Sequence, residues 1–271
     1  MRDGIPLRHG TIDGRGLPPL LRAASPRSAA GLPEGGDPTD GRGFTADSRS
    51  GMAALMAAVS EVFLDRPAAG RLLAARLRGR DWHDPVVLGL ARGGVPVAAQ
   101  VAWELDATLD VLVSRKISLP GNPEFGVGAV TADGPPYYAE QTLDTFGIDA
   151  RDLSQACAGE REEARRRVLR YQGDRAPTPL RGRDVLVVDD GLATGVTATA
   201  ALRAVRRDEP RLLVFAAPTC ASDAAATLSR EADEVECLSL PADFVAVGQW
   251  YRDFPQTSDD EVVALLTAAR E

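Results

Sequence analysis

Beyond residue 51 the apolar and polar positions follow two rhythms. Segments 52–64 and 70–77 carry apolar residues at helical spacing. Val86-Val87-Leu88-Gly89-Leu90 is a short unbroken apolar run, the mark of a strand covered on both faces. Arg92-Gly93-Gly94 comes next, and Pro96 suits the first turn of a helix whose stripe is Ala98, Val101, Ala102 and Leu105. Residues 109–113 read as a second strand. A third run, 185–188, leads into Asp189, Asp190 and a Gly-rich turn, then a helix with the stripe Ala198, Ala201, Leu202 and Val205. A strand at 212–217, a helix at 222–230, a strand at 235–240 and a helix at 259–269 follow. Strands alternating with helices predict an α/β fold, a parallel sheet wrapped by helices that binds ligands at the carboxyl ends of its strands. Residues 151–171 predict an inserted polar helix, with Glu162–Arg166 and Glu163–Arg167 at i,i+4 spacing. Its charges suit a solvated face, and the helix could equally cover a site mouth or another subunit. No internal repeat is present.

Composition separates the first 51 residues from the rest. They are rich in Gly and Pro and have one aromatic, Phe44, too little apolar surface to offset the entropy of ordering. A disordered extension over 1–51 and one folded domain over 52–271 are expected, with Met52 a candidate first residue. Across 271 residues, 39 acidic against 31 basic side chains leave a net charge of −8, unlike a general nucleic-acid binder. Cys157, Cys220 and Cys237 are odd in number and far apart, which argues against a disulfide framework or a thiolate zinc site and suits a reducing cytoplasm. No apolar run approaches the roughly 20 residues that span a bilayer, and the start lacks the apolar stretch of a secretory leader. A cytoplasmic protein with neither nucleic-acid nor membrane partners is expected. The basic residues include a single lysine, Lys116. A lysine kept in so Arg-rich a chain is a candidate for work that needs a compact, mobile ammonium.

The sharpest chemical signal is Val185-Leu186-Val187-Val188-Asp189-Asp190-Gly191-Leu192-Ala193-Thr194-Gly195-Val196-Thr197. A buried strand delivers two carboxylates to its carboxyl end. Small residues then let backbone N–H groups converge where a helix begins, with the Thr194 and Thr197 hydroxyls beside them, an arrangement that suits a phosphate. Carboxylates repel phosphate, so the two together suggest a ligand that places hydroxyls between them, or a nearby Mg²⁺. A P-loop needs Gly-Lys-Ser/Thr, and Lys116 lies elsewhere. A dinucleotide G-x-G-x-x-G is absent from this turn. An aspartyl-phosphate enzyme could use Asp189 but would leave the Gly/Thr turn without a role. His9, in the extension, and His83, ahead of the first strand, are poorly placed as bases.

This string resembles the signature of type I phosphoribosyltransferases, which bind 5-phosphoribosyl-1-diphosphate (PRPP). The resemblance implies that Asp189 and Asp190 hold the ribose hydroxyls and, through PRPP, a magnesium ion. It implies a 5′-phosphate loop from Gly191, Leu192, Ala193, Thr194, Gly195, Val196 and Thr197, and a pyrophosphate loop from Arg92-Gly93-Gly94. It places Arg115-Lys116 at the end of the second strand, ahead of a mobile loop over 117–125 that closes over PRPP, with Lys116 as a pyrophosphate contact. Lys116, Arg92 and Asp190 are then the expected catalytic residues. The strings Arg92-Gly93-Gly94-Val95-Pro96-Val97, Pro120-Gly121-Asn122-Pro123-Glu124 and Val247-Gly248-Gln249-Trp250-Tyr251 are also similar to a bacterial subfamily of predicted phosphoribosyltransferases, over most of 60–270. Family members recognise the acceptor with a small, variable hood. Residues 241–257 concentrate Phe244, Trp250, Tyr251 and Phe254 and are the candidate hood, with Phe244, Trp250 and Tyr251 as acceptor contacts; equally, these rings could pack the last helix onto the sheet. The expected activity is Mg²⁺-dependent transfer of ribose 5-phosphate from PRPP to an unidentified nitrogen acceptor, by a homo-oligomer as the family implies. A PRPP- or nucleotide-sensing regulator and a ribosyl-phosphate hydrolase are the alternatives.

Overall fold

The computed structural model describes residues 62–119, 122–173 and 175–269. The expected extension over 1–51 lies outside the described residues, as do 52–61 of the expected first helix. The end of that expected helix is not helical: Phe63 makes a parallel β-bridge to Tyr251, with its N–H donating to Trp250 O at 2.8 Å and its carbonyl accepting from Arg252 N at 2.8 Å.

Helix α1 spans Arg66–Leu77. Asp65 caps it, its carboxylate accepting from Ala68 N at 2.7 Å, and Pro67 occupies the first turn, where a missing N–H costs nothing. Strand β1 (Val86–Leu90), helix α2 (Gly94–Leu105) and strand β2 (Thr108–Leu112) form the first crossover. Later come β6 (Asp184–Val188), α5 (Val196–Arg206), β7 (Leu212–Thr219), α6 (Ser222–Leu228), β8 (Glu234–Ser239) and α7 (Asp259–Ala268). The five strands form one parallel sheet in the order β2-β1-β6-β7-β8. The parallel sheet flanked by helices is as expected. Central strands β1 and β6 are buried at every position, which is why they read as unbroken apolar runs. Edge strand β8 alternates Glu234 and Glu236 outward, where Arg80 meets both.

Between β2 and β6 the chain builds what the sequence reading missed. Strands β3 (Ser114–Leu119), β4 (Asn122–Thr131) and β5 (Tyr137–Tyr138) form a separate antiparallel sheet, followed by the short helix α3 (Glu140–Phe146). The expected mobile loop over 117–125 is thus replaced, where described, by the two arms of a hairpin. Pro120, Gly121 and Pro123 are residues that interrupt a strand pattern, and the register of β3 on β4 shifts twice between Ile117 and Leu119, so the alternation that would reveal a strand is broken. The inserted polar helix is α4 (Ser154–Gln172), preceded by a 3₁₀ turn at Ala150–Leu153. Glu163 is its charge hub, bonding Arg166 at 2.8 Å and Arg167 at 2.7 Å, whereas Glu162 faces Arg165 rather than Arg166.

The cysteine expectation fails. Cys220 and Cys237 form a disulfide with their Cα atoms 6.2 Å apart, and Cys157 is a buried free thiol. Their 17-residue separation is the length of one β–α–β crossover, which returns the chain to a neighbouring strand. Cysteine usage therefore lends no support to a reducing compartment. Among the described residues no helix is long and apolar enough to cross a membrane.

Candidate active site

In the order β2-β1-β6-β7-β8 the chain leaves β1 toward one edge and β6 toward the other. Adjacent parallel strands that depart in opposite directions open a crevice at their carboxyl ends, the switch point where open α/β sheets bind ligands. Gly89 of β1 lies in register with Val188 of β6, so the segment after β1 and the segment after β6 emerge side by side. Arg92-Gly93 and Asp189-Asp190 are those segments. They line one cavity of about 400 Å³, which also takes in Ser114, Thr197 and Phe254.

The two loops approach so closely that only glycine fits between them. A Cβ on Gly93 would collide with the Asp190 carboxylate, and one on Gly94 would lie 2.5 Å from Val188 O. The Asp190 N–H donates to Asp189 Oδ1 at 2.9 Å. Burial pushes the Asp189 carboxyl well above the usual carboxylate range, and adjoining Asp190 pushes it the same way. Burial raises Asp190 as well, but the Arg66 guanidinium opposes this, with Nε donating to Asp190 Oδ2 at 2.8 Å. Arg66, the first residue of α1, is 8 % exposed and had no counterpart in the sequence reading. No motif marks it; the signal within reach was the Asp65-Arg66-Pro67 helix start, which reads only as a cap.

The turn after the acids behaves in two ways. Leu192 points inward: its N–H donates to Thr219 O at 2.9 Å and its carbonyl accepts from Ala221 N at 2.8 Å, so its amide is spent on the sheet. Gly195 takes φ of +75° as the N-cap of α5, and the helix's first internal bond is Thr199 N to Gly195 O. The amides from Gly195 through Ala198 are therefore the free-end donors of α5. Thr197 faces the cavity of the acid pair, while exposed Thr194 and buried Val196 face a second cavity of about 680 Å³.

Lys116 lines that second cavity, not the one holding Arg92. Arg115 and Lys116 lie within β3 rather than at the end of β2, so they point to opposite faces: Arg115 bonds Glu160 of α4 at 2.9 Å, and the Lys116 stem packs on Gly126. Arg92 keeps a 3.7 Å approach to Asp259 of α7. Ser114 Oγ is buried at the wall of the first cavity with no partner among the described residues.

Of the three rings expected to meet an acceptor, none lines the cavity of the acid pair; Phe254 does. Tyr251 is 6 % exposed and structural, donating its hydroxyl to the Asp190 carbonyl at 2.6 Å between Phe63 and Phe254. Phe244 and Trp250 stack on each other at 6.4 Å. The aromatic segment 250–254 is thus fastened to the acid loop and to Phe63 rather than to α7.

The acid pair supplies two carboxylates, the donor number a magnesium ion usually takes from protein when substrate oxygens complete its shell. Among the described residues no group of three or more His, Cys, Asp or Glu side chains could hold a metal. The donors fit a metal that arrives with a phosphorylated ligand.

Comparison with known proteins gives the family. The solved crystal structure of TT1426 from Thermus thermophilus is 42 % identical and superposes with a TM-score of 0.65, covering 76 % of this chain and 98 % of that one. Two Mycobacterium tuberculosis proteins, from strains CDC 1551 / Oshkosh and H37Rv, are named "Putative phosphoribosyl transferase" and are each 46 % identical over 209 residues. The match takes in 77 % of this chain and 47 % of theirs, so the chain spans about half the length of the curated relatives it matches. Residues 63–254, from the Phe63 bridge to the Phe254 ring, match the family described as the phosphoribosyl transferase domain, and the chain belongs to that family.

Proposed function

We propose that this chain binds PRPP and transfers its ribosyl 5-phosphate to a nitrogen acceptor, releasing pyrophosphate. The observation that carries the reading is the meeting of the Asp189-Asp190 doublet, the Arg92-Gly93 turn and the start of α5 at one switch-point crevice. In this reading the acids accept hydrogen bonds from the ribose hydroxyls, and the amides of Gly195 to Ala198 with the Thr197 hydroxyl hold the 5′-phosphate. Arg92 and the Ser114 hydroxyl face the diphosphate.

The acceptor nitrogen forms a bond to C1 as the C1–O bond to diphosphate breaks. The electron pair leaves on the diphosphate oxygen, and the acceptor's N–H proton goes to solvent. No side chain needs to form a covalent intermediate. Arg92 gains most where negative charge grows on the leaving group, which is the differential stabilisation that accelerates a step. Magnesium, when bound with PRPP beside Asp189 and Asp190, neutralises diphosphate charge. Lys116 lines the larger cavity together with Thr194 and Val196, so its ammonium is assigned to the 5′-phosphate end rather than to the pyrophosphate. The acceptor is assigned to the Phe254 side of the cavity.

The test is pyrophosphate release from PRPP and Mg²⁺ across a panel of nucleobases and small amines. Acceptor-dependent release supports the transferase, release without any acceptor supports the hydrolase, and PRPP binding with neither supports the regulator. Absence of PRPP binding overturns the reading.

A further inference from the structure

A buried guanidinium needs every donor used, and Arg66 has been given a demanding set of partners. Its Nε donates to Asp190 Oδ2 at 2.8 Å and its Nη1 donates to Pro255 O at 2.5 Å. Its plane lies over the Phe254 ring, 3.8 Å from the centroid. Phe254 stacks on Tyr251 at 4.8 Å, and Tyr251 returns to the acid loop through its hydroxyl on the Asp190 carbonyl. Arg66, Asp190, Tyr251 and Phe254 thus close a ring of contacts. One side of the ring is the acid doublet; the other is the segment after the 3₁₀ turn Val247–Trp250.

The origin of Arg66 matters as much as its contacts. It is the first residue of α1, and the Asp65 cap and Pro67 fix the backbone from which it reaches. The Asp190 carboxylate has little freedom on its other side, because it fills the space a Cβ on Gly93 would take. A fork held at its base, two directed bonds to separate partners and a stacked plane are the properties that separate arginine from lysine. Maintaining solubility or helix capping requires none of them.

We propose that Arg66 is a positioning residue that aims the Asp190 carboxylate at a pentose hydroxyl and holds the Phe254 side of the cavity in register with it. This rests on the pentose-phosphate reading of the site. Arg66 does not touch the reacting atoms; it acts through Asp190 and Phe254. Its loss should therefore cost recognition of the sugar hydroxyls, while the phosphate hold at α5 remains.

Calorimetric binding of ribose 5-phosphate, 2-deoxyribose 5-phosphate and 3-deoxyribose 5-phosphate to the full chain tests this. Wild type should prefer ribose 5-phosphate over at least one deoxy analogue by about tenfold, the worth of one hydrogen bond to a charged group. In Arg66→Gln that preference should fall to about twofold or less, with the deoxy analogues bound nearly as in wild type. Arg66→Lys keeps the charge without the fork and should recover only part of the preference; it also serves if Arg66→Gln does not fold. Adding Arg66→Gln to Asp190→Asn should change the preference no further, since two residues acting as a unit are not additive. An undiminished preference in Arg66→Gln or Arg66→Lys, or additive losses in the double variant, overturns the inference alone. A wild-type protein that binds none of the three sugars overturns the pentose reading, and the inference with it.

Discussion

On the pentose-phosphate reading, single side chains decide whether the cavity holds its ligand. Asp190→Asn removes a hydroxyl acceptor and deprives the buried Arg66 guanidinium of its counter-charge. PRPP affinity should fall at least tenfold, and unfolding free energy by about 1–3 kcal/mol, read by calorimetry and by chemical denaturation. Lys116→Ala separates two placements of one charge. If Lys116, which lines the same cavity as Thr194, serves the 5′-phosphate end, binding of ribose 5-phosphate should weaken as much as binding of PRPP. A loss confined to PRPP would return Lys116 to the pyrophosphate. Ser114→Ala deletes a buried hydroxyl with no partner among the described residues, so stability should hold or rise slightly while PRPP affinity drops.

At the scale of elements, α4 and the β7–β8 edge make separate predictions. Arg166 and Arg167 hold the Glu163 carboxyl down at about 2, below its ordinary 4.5. A depressed carboxylate stabilises the fold above its unfolded value and loses that contribution as pH falls through the folded one. Glu163→Gln should therefore cost about 0.3–1 kcal/mol at pH 7, a difference from wild type that shrinks between pH 4.5 and 2 in thermal melts. Reducing the Cys220–Cys237 bond opens a closed loop of 17 residues' separation, which should cost about 2–4 kcal/mol. Cys220→Ser should show the same loss without reductant. These elements also mark how far the sequence could be read. The strands of the parallel sheet were legible because burial on both faces writes itself as continuous apolar runs, and the acid doublet because its whole string is so constrained. The β3-β4-β5 sheet was not, since Pro and Gly interrupt the pattern at 120–123, the β3–β4 register shifts, and one strand, Tyr137–Tyr138, is two residues long. Arg66 was invisible for a different reason: its partner lies 124 residues away, and no local pattern announces so distant a pairing.

For the whole molecule, the site is an assembly of distant stretches rather than a motif. The family match ends at residue 254, yet Asp259 of α7 lies 3.7 Å from Arg92 and accepts from Tyr171 at 2.6 Å, tying the last helix to the first loop and to α4. Tyr171 and Arg170 keep the Asp259 carboxyl below its ordinary range, so it stays charged near Arg92. Phe63 and Leu64 pair with 250–253 at the other limit of the match. The two ends of the domain are thus sewn together beside the pocket, as a hem closes on itself. Trimming the chain inward past Phe63 would loosen Tyr251 and cast Phe254 adrift, and through the Tyr251 hydroxyl it would slacken the acid doublet from outside the site.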